Sequence, residues 1–292
     1  MNQEQKIIEG KAIAKEIENE LITAGSDLFK QSKLKPKISV VVLGQEPASQ
    51  FYVRMIEKTC RKVFFDFDKY QLTEDIKQNE LISLIKKLNN DINTHGIIVQ
   101  TPLPPQIDEI KIRECLHPDK DVDCFNPVNM GKLIMGNPTF LPCTPNAVFE
   151  ILKRENIKIN GKNVVIIGRS SVVGKPLALI FLLKKPDANA TVTVCHSRTE
   201  NLSFYTKSAD VIVVAAGRAR LIKSDMISDN AVIIDVGTND IDGKLVGDVD
   251  FDEVSKIARR ITPVPGGVGP VTNMLLMKNT LQAARIQLSK SV

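Results

Sequence analysis

The residues best suited to chemistry lie in GRSSVVGKP (Gly168 to Pro176), where one glycine follows the apolar run NVVII and a second, Gly174, opens a helix-forming stretch. A glycine at such a turn lets the backbone approach a pyrophosphate, and the helix N-terminus behind it stabilises the negative charge. The spacing is not GxGxxG, and a glycine that ends a strand beside another that opens a helix is common without any ligand. Position is what strengthens the dinucleotide reading, since this is the first strand-to-helix turn of a βαβ unit. An NAD enzyme usually carries Asp or Glu at the end of the next strand to hold the ribose hydroxyls. Here that end reads CHSRT (Cys195 to Thr199), with no carboxylate before Glu200. Arg169, Ser197 and Arg198 offer guanidinium groups and a hydroxyl to a ribose phosphate instead, which favours NADP while leaving NAD open. The plain alternative makes both arginines solvated surface charges.

A second constellation, TPVPGGVGPVT (Thr262 to Thr272), combines three glycines that permit positive φ with Pro270, which suits the first turn of a helix. Its shape is set by backbone rather than by side chains. In KDVD (Lys120 to Asp123) two carboxylates, Asp121 and Asp123, sit close in sequence. No histidine cluster joins them, so no metal site is expected. His95, His117 and His196 are isolated and read as strand-end or loop residues rather than general bases. Cys195 reads as a buried apolar residue in preference to a redox centre.

These residues require a framework of alternating elements. In the first half a helix over about Ile7 to Lys30 precedes the strand ISVVVL (Ile38 to Leu43). A helix from Ser49 to about Arg61, a strand from Phe64 to Leu72, a helix from Ile76 to Asn89 and the strand GIIVQ (Gly96 to Gln100) follow. That order is βαβαβ, hence a parallel sheet with right-handed crossovers. From Pro102 to Pro145 the chain is rich in Pro, Asp, Asn and Gly, which predicts a long site-building loop region, with Thr144 as N-cap and Pro145 opening a linker helix. Alternation then resumes: strands Asn163 to Gly168, Thr191 to His196, Asp210 to Gly217 and Ala231 to Gly237, helices from Gly174 and near Asn201, and an amphipathic closing helix from Val271. The expected fold class is α/β with two domains. Residues 1–146 form a βαβ parallel-sheet catalytic domain, residues 147–270 form a Rossmann-type NAD(P)-binding domain, and the last helix, about 271–292, packs back onto the first.

At 292 residues with 43% apolar content the chain can fill two cores. Its net charge of +5 is scattered, without the basic stripe of a nucleic-acid binder. The five cysteines are unpaired in spacing, which fits a reducing cytoplasm. No segment approaches the roughly eighteen apolar residues that a membrane span requires.

GRSSVVGKP, TPVPGGVGPVT and KDVD occur in order with VQTPLPP (Val99 to Pro105) and PASQFYV (Pro47 to Val53). This pattern resembles the bifunctional methylenetetrahydrofolate dehydrogenase/cyclohydrolase family over nearly the whole chain. The resemblance implies that Tyr52 packs on the folate ring system, that Gln100 and Asp123 serve the same site, and that Asp123 accepts hydrogen bonds from the pterin. Pro265, Gly266 and Gly267 would also bind folate. Gly168, Arg169, Ser170, Val173, Gly174, Ser197, Arg198, Gly217, Thr238 and Thr272 would surround the dinucleotide. NADP as cofactor, tetrahydrofolate one-carbon derivatives as substrates, no membrane or nucleic-acid partner and a cytoplasmic homodimer joined mainly through the cofactor domain are implied as well.

One member of the family's set is missing. The resemblance places a lysine four residues after the tyrosine, and that position is Ile56. Lys58, six residues along, is turned away from the Tyr52 face. Thr101 and Cys124 replace the family's usual leucine and glycine. Oxidation of a methylene bridge is a direct hydride transfer that demands alignment of two rings, whereas hydrolysis of the methenyl cation demands a proton carrier. Isoleucine carries no proton, so the expectation is a dehydrogenase with weak or absent cyclohydrolase activity. Two other readings remain: a shikimate-dehydrogenase-like NADP enzyme, and a retired family member that binds folate or dinucleotide without turnover.

Overall fold

The structure, a computed structural model, describes residues 6–290. Contacts within the chain sort it into two compact units, Glu16–Leu141 with Asn273–Val292, and Met1–Lys15 with Pro142–Thr272. Helix α1 (Gly10–Ser32) opens the described chain.

In the unit built on Glu16–Leu141, β1 (Lys37–Leu43), β2 (Asp66–Leu72) and β3 (Gly96–Val99) pair in parallel in the order β2-β1-β3. The central strand KISVVVL is buried after its first residue, as a strand covered on both faces must be, while the edge strand DFDKYQL is half-exposed throughout. Helices α2 (Pro47–Lys62) and α3 (Gln78–Asn90) supply the crossovers. Leu81, Ile85 and Leu88 recur at helical spacing and pack with Val41, Leu43, Ile97 and Val99 into one core.

The stretch expected to be loop, Pro102 to Pro145, instead holds α4 (Glu109–Cys115), α5 (Pro127–Ile134) and the start of α6 (Cys143–Arg154). Its polar residues are caps rather than breakers. Asp108 accepts from the Ile110 N–H at 3.0 Å, and Asn126 accepts from the Val128 N–H at 2.7 Å with Pro127 behind it. Helix α6 corrects the expected start at Thr144, because the Pro142 carbonyl already accepts from the Asn146 N–H at 2.9 Å and Thr144 lies inside the first turn. The closing helix, α10 (Val268–Lys290), is not amphipathic along its middle: every residue from Asn273 to Met277 is buried, as are Asn279, Thr280 and Leu281. Its Asn279 Nδ2 donates to the carbonyls of Val122 (2.8 Å) and Leu141 (2.9 Å), which satisfies a polar group that burial would otherwise penalise.

In the other unit five parallel strands run in the order β10-β7-β6-β4-β5. These are β4 (Asn163–Ile167), β5 (Thr191–Cys195), β6 (Val211–Val214), β7 (Val232–Asp235) and β10 (Arg260–Ile261). Helices α7 (Gly174–Phe181), α8 (Leu202–Lys207) and α9 (Phe251–Ile257) accompany them. Val165, Ile167, Ile212, Val214 and Ile233 form the centre of its core. A short hairpin, β8 (Asn239–Ile241) and β9 (Lys244–Val246), interrupts the pattern and was not anticipated. Its turn, Asp242-Gly243, has φ of 52° and 75°, the positive values that a two-residue hairpin requires. Among the described residues no helix is long and apolar enough to cross a membrane.

Candidate active site

Helix α2 starts directly after β1 because Glu46 caps it. The carboxylate accepts from the N–H groups of Ala48 (3.0 Å) and Ser49 (2.6 Å), and these bonds, Ser49 first, hold it below the usual carboxylate range. Ser49, Val53, Ile56 and Cys60 then form the buried stripe of the helix. Tyr52 is half-buried one turn before Ile56, which is 0% exposed, while Lys58 is exposed. At the end of β3 the Gln100 N–H donates to Val41 O at 2.8 Å and its side-chain Nε2 to Thr101 O at 2.8 Å.

The KDVD segment runs beside β3, with Ile97 N–H donating to Lys120 O at 2.8 Å. Its two acids differ in burial because the chain turns after Asp121, with the Cys124 N–H donating to Asp121 O at 3.2 Å. Asp121 is fully buried and accepts from the N–H groups of Phe125 and Asn126 and from Asn129 Nδ2, each at 2.8 Å. Burial pushes its carboxyl up, while those hydrogen bonds and Arg113 oppose the shift. Lys120 Nζ donates to the carbonyls of Leu88 (3.1 Å) and Asp91 (2.7 Å), so it too is a structural group, lowered in pKa by burial. Asp123 is half-buried. Cys124 follows it at φ 61°, a left-handed conformation that costs a side chain about 1 kcal/mol relative to glycine. Among the described residues no group of acidic, histidine or cysteine side chains could hold a metal.

On the sheet of the other unit, the turn after β4 is shaped by contacts that exclude side chains. A Cβ at Gly168 would lie 2.2 Å from Ala215 O, and one at Gly174 would lie 2.0 Å from Gly168 O. Within the turn Ser170 Oγ accepts from the Val173 N–H at 3.0 Å, and no side chain caps α7. The space and the helix end fit a pyrophosphate. Arg169, Ser170, Ser197 and Arg198 are exposed. The Ser197-Arg198 turn after β5 is held by His196 Nδ1, which accepts from the Arg198 N–H at 3.2 Å, and by Thr199 Oγ1, which accepts from the His196 N–H at 2.9 Å. Cys195 is buried, and burial raises its thiol pKa.

Two expected cofactor residues sit differently from a simple contact. The Gly217 amide donates to Asp248 Oδ2 at 2.8 Å, so what this exposed residue offers a ligand is open space rather than an N–H. Thr272 is buried and its hydroxyl donates to Val268 O at 3.2 Å within α10. Thr238 is exposed just beyond β7. In the glycine-rich loop, Pro265 is exposed, Gly266 has φ 111° and the Gly267 N–H closes a turn onto Pro263 O at 2.9 Å. A Cβ at Gly10 would lie 1.7 Å from Gly267 O, a packing partner that sequence reasoning missed.

It missed a second group as well. Asp235 and Asp248 are buried carboxylates at the sheet end, visible beforehand only through the repeated DVG and VGD around an Asp-Gly hairpin turn.

Residues 8–123 match the catalytic domain of tetrahydrofolate dehydrogenase/cyclohydrolase, and residues 142–288 match its NAD(P)-binding domain. The chain belongs to the tetrahydrofolate dehydrogenase/cyclohydrolase family. A bifunctional protein FolD from Exiguobacterium sibiricum is 47% identical, covering 96% of this chain and 99% of that protein. The crystal structure of the bifunctional FolD methylenetetrahydrofolate dehydrogenase/cyclohydrolase from Campylobacter jejuni is 45% identical, covers 96% of this chain and 98% of its own, and superposes with a TM-score of 0.92. The Trypanosoma brucei family member, solved with NADP cofactor and an inhibitor, is 39% identical with a TM-score of 0.91 and covers 97% and 98% of the two chains. A shikimate dehydrogenase from Aquifex aeolicus shares 12% identity at a TM-score of 0.50, covering 88% and 98%, a likeness of fold alone.

Proposed function

We propose that the protein oxidises 5,10-methylenetetrahydrofolate to the 5,10-methenyl form with NADP as hydride acceptor, and that its hydrolysis of the methenyl form to 10-formyltetrahydrofolate is weak or absent. The observation that carries this reading is a fully buried Ile56 one helical turn from half-buried Tyr52. Family likeness puts a lysine there.

The cofactor supplies the hydride acceptor. The chain's part is to hold and align. The Gly168–Gly174 turn and the uncapped start of α7 receive the pyrophosphate. Exposed Arg169, Ser197 and Arg198 receive a ribose phosphate, which favours NADP over NAD. Tyr52, Gln100 and Asp123 hold the folate, and Pro265, Gly266 and Gly267 are the further folate-binding residues that the family resemblance implies. Hydride loss is driven by the folate nitrogens' own lone pairs, so positioning suffices. Opening the methenyl ring requires proton transfer to and from water and nitrogen, and an alkyl side chain cannot perform it.

The test uses purified protein with methylenetetrahydrofolate and each cofactor. NADPH formation faster than NADH formation is expected. No cofactor reduction would convert the protein to a retired binding module, and reduction with shikimate alone would select the other dehydrogenase reading. Sedimentation should show the homodimer expected from family likeness, and a monomer at micromolar concentration would remove that part.

A further inference from the structure

Asp248 is 0% exposed, and its carboxylate receives four donors. Oδ2 accepts from the main-chain N–H groups of Ala216 (2.6 Å) and Gly217 (2.8 Å), and Oδ1 accepts from the N–H of Arg218 (2.9 Å) and from Asn239 Nδ2 (2.9 Å). Three consecutive amides of the loop after β6 thus converge on one oxygen pair. Such a concavity of amides binds anions, and here the protein fills it with its own carboxylate.

Asp235, at the end of β7, anchors Asp248 in turn. Its Oδ1 accepts from the N–H groups of Gly237 (2.9 Å) and Asp248 (3.1 Å), and its Oδ2 from that of Val249 (2.9 Å). The two acids are locked reciprocally by glycines. A Cβ at Gly247 would lie 1.8 Å from Asp235 Oδ2, and one at Gly237 would lie 2.2 Å from Asp248 Cγ. The β8–β9 hairpin returns the chain so that these contacts can form. The Arg220 N–H and Ile222 N–H then donate to Gly247 O and Asp248 O, both at 3.1 Å, sewing the rest of the loop to the same segment.

Neither acid is exposed to bind a ligand directly, and both cost desolvation. Burial, with the charge of Asp248 adding to it, pushes the Asp235 carboxyl up to about 7. A core that only needed filling would use apolar groups of the same volume at less cost. What the acids do instead is dictate the conformation of residues 216–218, whose Gly217 is a candidate cofactor contact.

We infer that Asp248, held by Asp235, is a positioning residue for dinucleotide binding: it turns the Ala216–Arg218 amides inward and so presents the side-chain-free surface of Gly217 to the cofactor. This rests on the NADP-binding reading above. Replacing Asp248 with asparagine puts an amide donor against loop N–H groups and lets the loop re-form, so the loss should fall on the cofactor and spare the folate.

The test measures NADP and tetrahydrofolate dissociation constants separately, by calorimetry at 10 °C, for wild type, Asp248→Asn and Asn239→Ala. If the wild type binds neither NADP nor NAD, the NADP-binding reading itself fails. Given wild-type binding, Asp248→Asn should weaken NADP about 10-fold or more with tetrahydrofolate affinity unchanged, and raise KM for NADP with kcat held within about 2-fold. Asn239→Ala deletes one half-exposed donor, keeps the three loop amides, and should weaken NADP about 2- to 4-fold even if the aspartate variant does not fold. Equal weakening of both ligands, or unchanged NADP affinity in every variant that folds, overturns the inference and leaves the pair a structural feature of the sheet end.

Discussion

The cradle proposed for the dinucleotide is made of main chain, whereas the folate site proposed around Tyr52 is made of side chains, and the two accommodate sequence change in opposite ways. At Gly168 and Gly174 a single added carbon would meet a carbonyl oxygen at 2.2 or 2.0 Å. There is no smaller residue to substitute, so function and fold share the same atoms. At Ile56 a residue of different chemistry sits wholly buried on an intact helix. Helix α2 is held by its Glu46 cap and its apolar stripe, neither of which needs an ammonium. On the proposed function, a site assembled from side chains loses one reaction and keeps its shape, while a site assembled from backbone keeps all or loses all.

The sharpest way to break that contrast is Gly174→Ala. Overpacking against Gly168 O should cost about 2–3 kcal/mol and weaken NADP by roughly 100-fold in a fluorescence titration. Wild-type affinity would show that the turn yields, and that backbone sites are no stricter than side-chain ones. Next in size is Arg169→Ala, an exposed side chain at an otherwise main-chain site. It should lower kcat/KM with NADP about 10-fold and leave NAD nearly unchanged, and an equal loss with both cofactors would remove its ribose-phosphate role.

A smaller effect concerns the scaffold of the side-chain-built unit. His95 is buried before β3, its Nδ1 accepts from the Lys37 N–H at 3.0 Å, and burial foremost lowers its pKa to about 4 from 6.5. The fold therefore favours the neutral ring. Its contribution to stability is complete above pH 6.5 and is lost progressively as pH falls from 6.5 towards 4. Melting temperature followed by circular dichroism should drop over that window, and His95→Gln should flatten the drop. An unchanged slope in the variant would assign acid sensitivity to other groups.

The smallest effect is expected at Cys124, where side-chain chemistry meets a backbone demand. Glycine there relieves the left-handed φ of 61° but deletes a buried thiol that lies 3.6 Å from Phe140 O. The two should offset to within about 1 kcal/mol, so Cys124→Gly should leave the melting temperature almost unmoved. A loss of about 3 kcal/mol would mean that packing dominates at this position.

Strands such as ISVVVL and NVVII were legible because covering both faces of a parallel sheet demands continuous apolar residues. Asp108, Asn126 and Pro127 were misread for the opposite reason, since a cap and a breaker are the same residue types and only the neighbouring N–H tells them apart. The Asp242-Gly243 turn was readable in principle, but β8 and β9 are three residues each and largely exposed, without the alternation that marks a strand. Asp248 was beyond reach because its partners at 216–218 lie thirty or more residues away, and nothing local distinguishes a buried acid from a solvated one. Ile56 was noticed through the family pattern around it. Its spacing alone describes an ordinary core residue.

On the proposed function a buried alkyl group separates the two reactions. Hydride transfer and methenyl hydrolysis can be followed in one cuvette through NADPH and methenyl absorbance, with wild type beside Ile56→Lys. The wild type should form NADPH while methenyl-folate decays only at the rate seen in buffer. In Ile56→Lys decay should rise at least about 10-fold with oxidation changed far less. Wild-type decay well above the buffer rate would contradict that separation.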